Sequence, residues 1–311
     1  MHIPVSSSVL FHCWNHTDVG SARLILESIC KNGLLLTTNS STLDSFSIDR
    51  GKGVEQMEVM QQARVCFTDI PIDLLASHGQ RYGKYGVGFH RQTIIDWGGL
   101  PAWYLPNYWN SKTLKVVGPV LVNALHAAMN AVDQLRALAA EFSAKNVPLS
   151  VTYQHGPTLQ ADELATQMQT VQNTIFMVLS FIKEMSPQSA EDNSYLFERE
   201  WRIIAGFGLV GQPPAFHTLT QDEKDRLCAA RPVWRKERQS KDINISSKYG
   251  AAPVIDSFQY FNGLPGQGTV AQLIDTILVP NATETHWART FLAEHVGDFG
   301  TTIPSVIVFP N

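Results

Sequence analysis

The segment Leu196-Phe197-Glu198-Arg199-Glu200-Trp201-Arg202-Ile203-Ile204 sets carboxylates and guanidinium groups among large apolar residues. Read as a strand, its side chains alternate between two faces. Leu196, Glu198, Glu200, Arg202 and Ile204 share one face. Phe197, Trp201 and Ile203 share the other, with Arg199 as the odd member. The apolar face packs on a core. The charged face is costly unless water or a partner solvates it. Two like charges on one face, two residues apart, push one pKa upward. That is one way to make an acid or base that works near neutral pH. Glu200 and Glu198 are therefore the candidate catalytic carboxylates. The same spacing also fits an exposed strand face carrying a structural Glu–Arg pair, and the sequence leaves both readings open.

The chain that must position these groups has 311 residues and a formal net charge of -4. Its length allows one large domain or two modest ones, each with a core. A slightly acidic balance argues against a general nucleic-acid coat or a membrane-surface binder. A basic patch at 231–241 carries Arg231, Arg235, Lys236, Arg238 and Lys241 against Glu237. It reads as a solvated face, with phosphate or nucleic acid as the lesser alternative. Cys13, Cys30, Cys66 and Cys228 are scattered. Their spacing supports neither a zinc site nor a disulfide framework, so free thiols and a cytoplasmic setting are expected, with no metal. No signal peptide is read at the N-terminus, and no apolar run is long enough to span a bilayer.

Periodicity predicts a strand over 9–14, turn and cap residues at 15–18, a helix over 21–31 stopped by Gly33, and an extended segment from Leu34. Residues 38–53 are polar and read as a loop. A short strand over 64–69 ends at Pro71, and one or two helical turns cover 72–78. Tyr85 to Phe89 is a strand whose glycines suggest a bulge or the close approach of a ligand or another backbone. Long helical patterns follow at 119–145 and 159–184. Beyond the Glu-bearing strand come a turn at 206–212, a helix over 219–229, a strand over 274–280, a helix over 284–294 and a last strand over 305–309. The expected fold class is α+β, with short-stranded mixed sheets. One domain is expected over 1–311, with a helical insert at about 119–185.

Three elements carry a resemblance. Val65-Cys66-Phe67-Thr68-Asp69-Ile70-Pro71, Tyr82-Gly83-Lys84-Tyr85-Gly86-Val87-Gly88-Phe89 and Phe197-Glu198-Arg199-Glu200-Trp201-Arg202 resemble the abortive phage infection family of AbiGi type. They are also similar to a related bacterial family of unknown function, whose last strand looks like Ile274 to Pro280. The resemblance covers most of residues 8 to 309. It implies a phage-defence protein with a cognate toxin or antitoxin as partner.

A more distant resemblance is to ADP-ribosyltransferases that use NAD. Phe11-His12-Cys13-Trp14 with the following helix looks like their opening unit, and Glu198-Arg199-Glu200 looks like their E-x-E ending. The tyrosine element is either Tyr82 or Tyr85, and Thr68 stands for the middle serine–threonine element. This resemblance implies an NAD-binding scaffold in which Glu200 stabilises a cation-like ribose and Glu198 takes a proton from the nucleophile. His12, Thr68, Tyr82, Tyr85 and Arg202 would then hold NAD. Two functions from different classes follow: an NAD-dependent transferase, or a non-catalytic antitoxin or sensor of a two-gene system. For each binding residue there is a plain alternative, His12 for instance being a satisfied core histidine.

Overall fold

The computed structural model describes residues 7–14, 19–38, 47–49, 54–56, 63–106, 117–145, 150–152, 158–185, 199–205, 216–230, 255, 258–300 and 302–310. It divides into two compact units. The first comprises 1–41, 61–102 and 188–311, and the second 42–60 and 103–187.

The first unit is α+β. Strands β1 (Val9–Trp14), β2 (Leu34–Thr38), β5 (Ala63–Thr68), β6 (Tyr85–His90), β7 (Leu100–Pro101), β12 (Glu200–Ile204), β13 (Phe216–Thr218), β14 (Gln259–Phe261), β15 (Thr276–Val279) and β16 (Ser305–Val308) form a ten-stranded mixed sheet. Its order is β13-β14-β2-β5-β1-β6-β15-β16, with β12 on β5 and β7 on β12. Only β15 and β16 pair in parallel; the other pairs are antiparallel. Its helices are α1 (Val19–Asn32), α2 (Leu75–Tyr82), α3 (Arg91–Asp96), α6 (Gln221–Ala230) and α7 (Ala282–Glu294).

The sheet forks at β5. One edge of β5 runs along the whole of β12. The other edge meets β2 at Thr37–Arg64 and Thr38–Ala63, but β1 only at Phe11–Thr68. Between those ends β1 and β2 diverge, and α1 connects them.

One face of the sheet carries the main core. Leu10, Trp14, Val65, Phe67, Val87, Phe89 and Ile203 pack with Ala22, Leu26 and Ile29 of α1 and Ala288, Phe291 and Leu292 of α7. A smaller cluster on the opposite face joins Phe11, Ile70, Leu75, Leu278 and Phe309. The glycines of β6 serve this packing. A Cβ at Gly88 would lie 2.7 Å from Val9 Cγ1 and 2.8 Å from Phe11 Cε1, so the close approach is made by those side chains. At the end of α1, Gly33 takes φ +92° and donates its N–H to Ile29 O at 2.9 Å, the expected helix stop.

Helix α7 begins at Asn281, whose side chain accepts the Glu284 N–H at 3.0 Å. Glu284 is buried and receives both arms of Arg23, at 3.0 and 2.8 Å, tying α7 to α1. Arg23 also lies over the Trp287 ring at 4.8 Å. The hydrogen bond from Arg23 holds the Glu284 carboxyl below its ordinary pKa. In the unfolded chain that carboxyl takes up its proton at a higher pH. Its contribution is therefore full above the unfolded value of about 4.3 and is lost as pH falls through the folded value. Denaturant unfolding of wild type and Glu284→Gln should differ most at neutral pH and converge as the solution is acidified. A constant gap down to pH 3 would contradict this ion pair.

The second unit holds α4 (Val117–Ala144) and α5 (Ala161–Phe181), two long helices within the expected insert. Three two-stranded ladders accompany them: β3 (Ser47–Asp49) with β4 (Val54–Gln56), β8 (Trp103–Pro106) with β11 (Ile182–Met185), and β9 (Ser150–Thr152) with β10 (Thr158–Gln160). Two expectations are corrected here. The helical pattern at 159–184 is helix only over Ala161–Phe181, because its flanks pair as β10 and β11. The polar run 38–53 contributes β3 and the end of β2. Among the described residues, no helix is long and apolar enough to cross a membrane. The turn and cap residues 15–18, the turn at 206–212 and the basic patch at 231–241 lie outside the described residues.

Candidate functional site

The pairing of β5 with β12 sets the chemistry of this face. Both strands alternate apolar and polar residues, Arg-Val-Cys-Phe-Thr against Glu-Trp-Arg-Ile-Ile. Directly opposed residues share a face. The register places Glu200 opposite Thr68, Arg202 opposite Cys66 and Ile204 opposite Arg64. Val65, Phe67, Trp201 and Ile203 accordingly turn to the main core. Arg64, Cys66, Thr68, Glu200 and Arg202 collect on the other face.

This polar cluster is buried. Arg202 is 0% exposed, and Glu200 and Arg64 are each 8% exposed. The alternative of an exposed strand face is therefore corrected, while its Glu–Arg pair is present: the charges are shielded within the protein and answer one another. Arg202 Nε donates to Glu200 Oε1 at 2.6 Å. Cys66 lies beside them, and burial followed by the Glu200 charge pushes its thiol up to about 11. Burial lowers the pKa of the Arg64 guanidinium, and the like charge of Arg202 acts in the same direction. The cluster thus sets two guanidinium groups and a neutral thiol around one carboxylate.

Of the expected strand 196–204, residues 196–198 lie outside the described residues. Arg199 takes φ +43°, so the extended run begins at Glu200. Its carbonyl still accepts Asp69 N–H at 3.2 Å, extending the ladder by one step. Asp69 accepts the Ser7 N–H at 2.9 Å and Arg91 Nη2 at 2.8 Å. Arg91 in turn lies 5.9 Å from the Trp201 ring centroid. Burial raises the pKa of the Asp69 carboxyl, against the opposing pull of Arg91.

The remaining candidates occupy other places. Glu198 lies outside the described residues. His12 is on the core face, edge-on to Phe67 with ring centroids 5.9 Å apart. Its Nδ1 donates to Cys66 O at 2.8 Å, across the gap where β1 leaves β5. Burial depresses its pKa, and the Cys66 carbonyl opposes that shift. The neutral ring with hydrogen on Nδ1 satisfies a carbonyl at the fork. Tyr85 shares the face of His12, since Trp14–Tyr85 and His12–Val87 are opposed pairs. Burial, then the neighbouring Glu284, raises the Tyr85 hydroxyl to about 12. Tyr82, on α2, lies over His78 with ring centroids 4.4 Å apart.

The structure thus brings Thr68, Glu200 and Arg202 together and sets His12 and Tyr85 on the opposite face of the sheet. Sequence reasoning missed Arg64 and Cys66 as members of the cluster. Their signal was present in the alternation Arg64, Cys66, Thr68, which mirrors Glu200 and Arg202 two residues apart.

These features define an α+β protein with a forked mixed sheet and a buried carboxylate–guanidinium cluster on its central strand pair. A family model described as "Putative abortive phage resistance protein AbiGi, antitoxin" matches residues 40–231. That span exceeds half of the chain, and the chain belongs to this family. The matched region includes β5, β12 and both long helices, and leaves β1, β15 and α7 outside it. Neither the curated proteins nor the solved structures returned a match.

Proposed function

We propose that this chain is the antitoxin of a two-gene phage-defence system and neutralises a cognate toxin protein by binding it, without a reaction of its own. The family match supports the defence role. The choice of binding over chemistry rests on the Glu200–Arg202 pair. Its carboxylate is held at 2.6 Å by a guanidinium, and both partners are buried. To contact a sugar hydroxyl or accept a proton, Glu200 would have to use its second oxygen from a site only 8% exposed, or give up a buried ion pair, which is strongly unfavourable. His12 commits its Nδ1 to the Cys66 carbonyl, on the core face of the sheet. Purified antitoxin mixed with the purified toxin should co-elute as one complex, and co-expression should relieve the toxin's growth arrest. A toxin that stays fully active, with no complex formed, would overturn the proposal.

A second reading is an ADP-ribosyltransferase-like scaffold that takes NAD as substrate, with Glu200 as catalytic carboxylate. One observation favours it: Glu200 stands opposite Thr68 at the end of the β5–β12 ladder, although His12 lies on the other face of the sheet. Calorimetric titration with NAD separates the readings. Saturable heat that weakens in His12→Ala favours the NAD scaffold, and no heat from folded wild type favours the antitoxin.

A further inference from the structure

Among the described residues, Arg199 alone of the non-glycines has a positive φ, +43°. A left-handed arginine is strained, and it persists only where its surroundings hold it. Arg199 stands immediately before Glu200, the first residue of β12. Two backbone bonds secure the chain just after it. Asp69 N–H donates to Arg199 O at 3.2 Å, and Ala102 N–H donates to Glu200 O at 2.7 Å.

Asp69 is where several segments meet. It follows the last residue of β5 and is buried. Its Oδ1 accepts the Ser7 N–H at 2.9 Å and Arg91 Nη2 at 2.8 Å. Arg91 Nη2 also donates to Ser7 O, and the Arg91 N–H donates to Ser8 O at 2.8 Å. One carboxylate–guanidinium pair thus takes both backbone polar groups of Ser7. The Ser7 hydroxyl accepts the Val9 N–H at 3.1 Å, where β1 begins. The Arg91 guanidinium also lies over the ring of Trp201, the residue after Glu200. Burial raises the pKa of Asp69, while the charges of Arg91 and Arg199 pull it down. The Arg199 side chain therefore acts on the same carboxylate that holds Ser7.

Clasp and strain bear on one strand end. The β5–β12 register sets Glu200 opposite Thr68, one residue before Asp69. Once Ser7 and Arg91 let go, the Asp69 carboxylate loses its fixed place, and the hold of its N–H on Arg199 weakens. Arg199 then relaxes to an ordinary φ, and the first step of the ladder opens. That step is Glu200, which is otherwise buried. Proteins open locally at such points without unfolding as a whole.

We propose that residues 7–8 are a strap whose docking on Asp69 and Arg91 holds the Arg199 joint closed, and that release of the strap exposes the Glu200 carboxylate. The coupling runs from Ser7 through Asp69 to Arg199 and Glu200, and it does not depend on the antitoxin role.

Carboxyl footprinting of the full-length protein with a carbodiimide and a small amine, read by mass spectrometry, measures the exposure of Glu200 directly. Glu284 is the internal control, a buried carboxylate paired with Arg23 on α7. Ser7→Pro removes the N–H that donates to Asp69 and leaves Asp69 in place. Ser7 precedes the first strand, so folding should tolerate the change. Asp69→Ala removes the acceptor itself. In both variants, with circular dichroism unchanged, Glu200 labelling should rise several-fold and Glu284 labelling should keep its wild-type rate. Arg199→Gly tests the strain. Glycine takes a left-handed φ without penalty. The double variant Asp69→Ala/Arg199→Gly should therefore label at Glu200 several-fold more slowly than Asp69→Ala. A wild-type rate of Glu200 labelling in folded Ser7→Pro overturns the proposal. So does a parallel rise at Glu284, which would make the clasp a general staple of the fold, or a double variant that labels as fast as Asp69→Ala.

Discussion

Glu200→Ala lowers the unfolding free energy of the first unit by about 3–5 kcal/mol, because it strands a buried guanidinium. Arg202 is fully buried, Arg64 nearly so, and Glu200 is the carboxylate that Arg202 Nε meets at 2.6 Å. Removing Glu200 leaves like charges facing each other in a low-dielectric setting. Removing both partners is different. Glu200→Leu/Arg202→Met replaces the pair with apolar side chains. Such swaps commonly come out neutral to stabilising, by roughly 1–4 kcal/mol. Arg64 then loses one attractive and one repulsive neighbour together. Urea unfolding of the single and double variants should therefore show strong non-additivity. Equal, additive losses would mean that the two side chains act independently.

Gly33→Ala is expected to cost about 3 kcal/mol or more, from left-handed strain and backbone overlap combined. Its φ is +92°, and a Cβ there would lie 2.2 Å from Phe261 O. The overlapped atom is backbone in β14, which pairs with β2 through Phe261–Leu34. Relief therefore means moving a strand. Gly266 provides the control. Its φ is +82°, yet a Cβ there meets nothing within 4 Å. Gly266→Ala should show the strain alone, about 1 kcal/mol. Similar melting losses in the two variants would remove the overlap from the explanation.

Much of the fold was legible because its signals are local. The apolar run Val9–Trp14 is β1, and the helical spacing after it with a terminal Gly33 is α1. The late helix and the strands around it also formed close to the expected positions. The flanks of the second long helix were not legible, because Ile182–Met185 continues an apolar helical pattern and becomes a strand only by pairing with β8. The same limit applies to the site. Alternation told which face Glu200 and Arg202 share, and their pairing confirms it. Alternation could not tell that β5 would bring Arg64 and Cys66 to the same face, or that the face is buried. Nor could it tell that His12 and Glu200 stand on opposite faces of one sheet. Those facts depend on register between distant strands, which no short window carries.

The most direct measurement is toxin neutralisation by the folded Glu200→Leu/Arg202→Met variant, scored as growth when the cognate toxin is co-expressed. A structural pair in a binding antitoxin predicts protection equal to wild type, with the variant expressed at the same level. A variant that folds and binds the toxin yet gives no protection would contradict it, and would give the pair a role beyond structure.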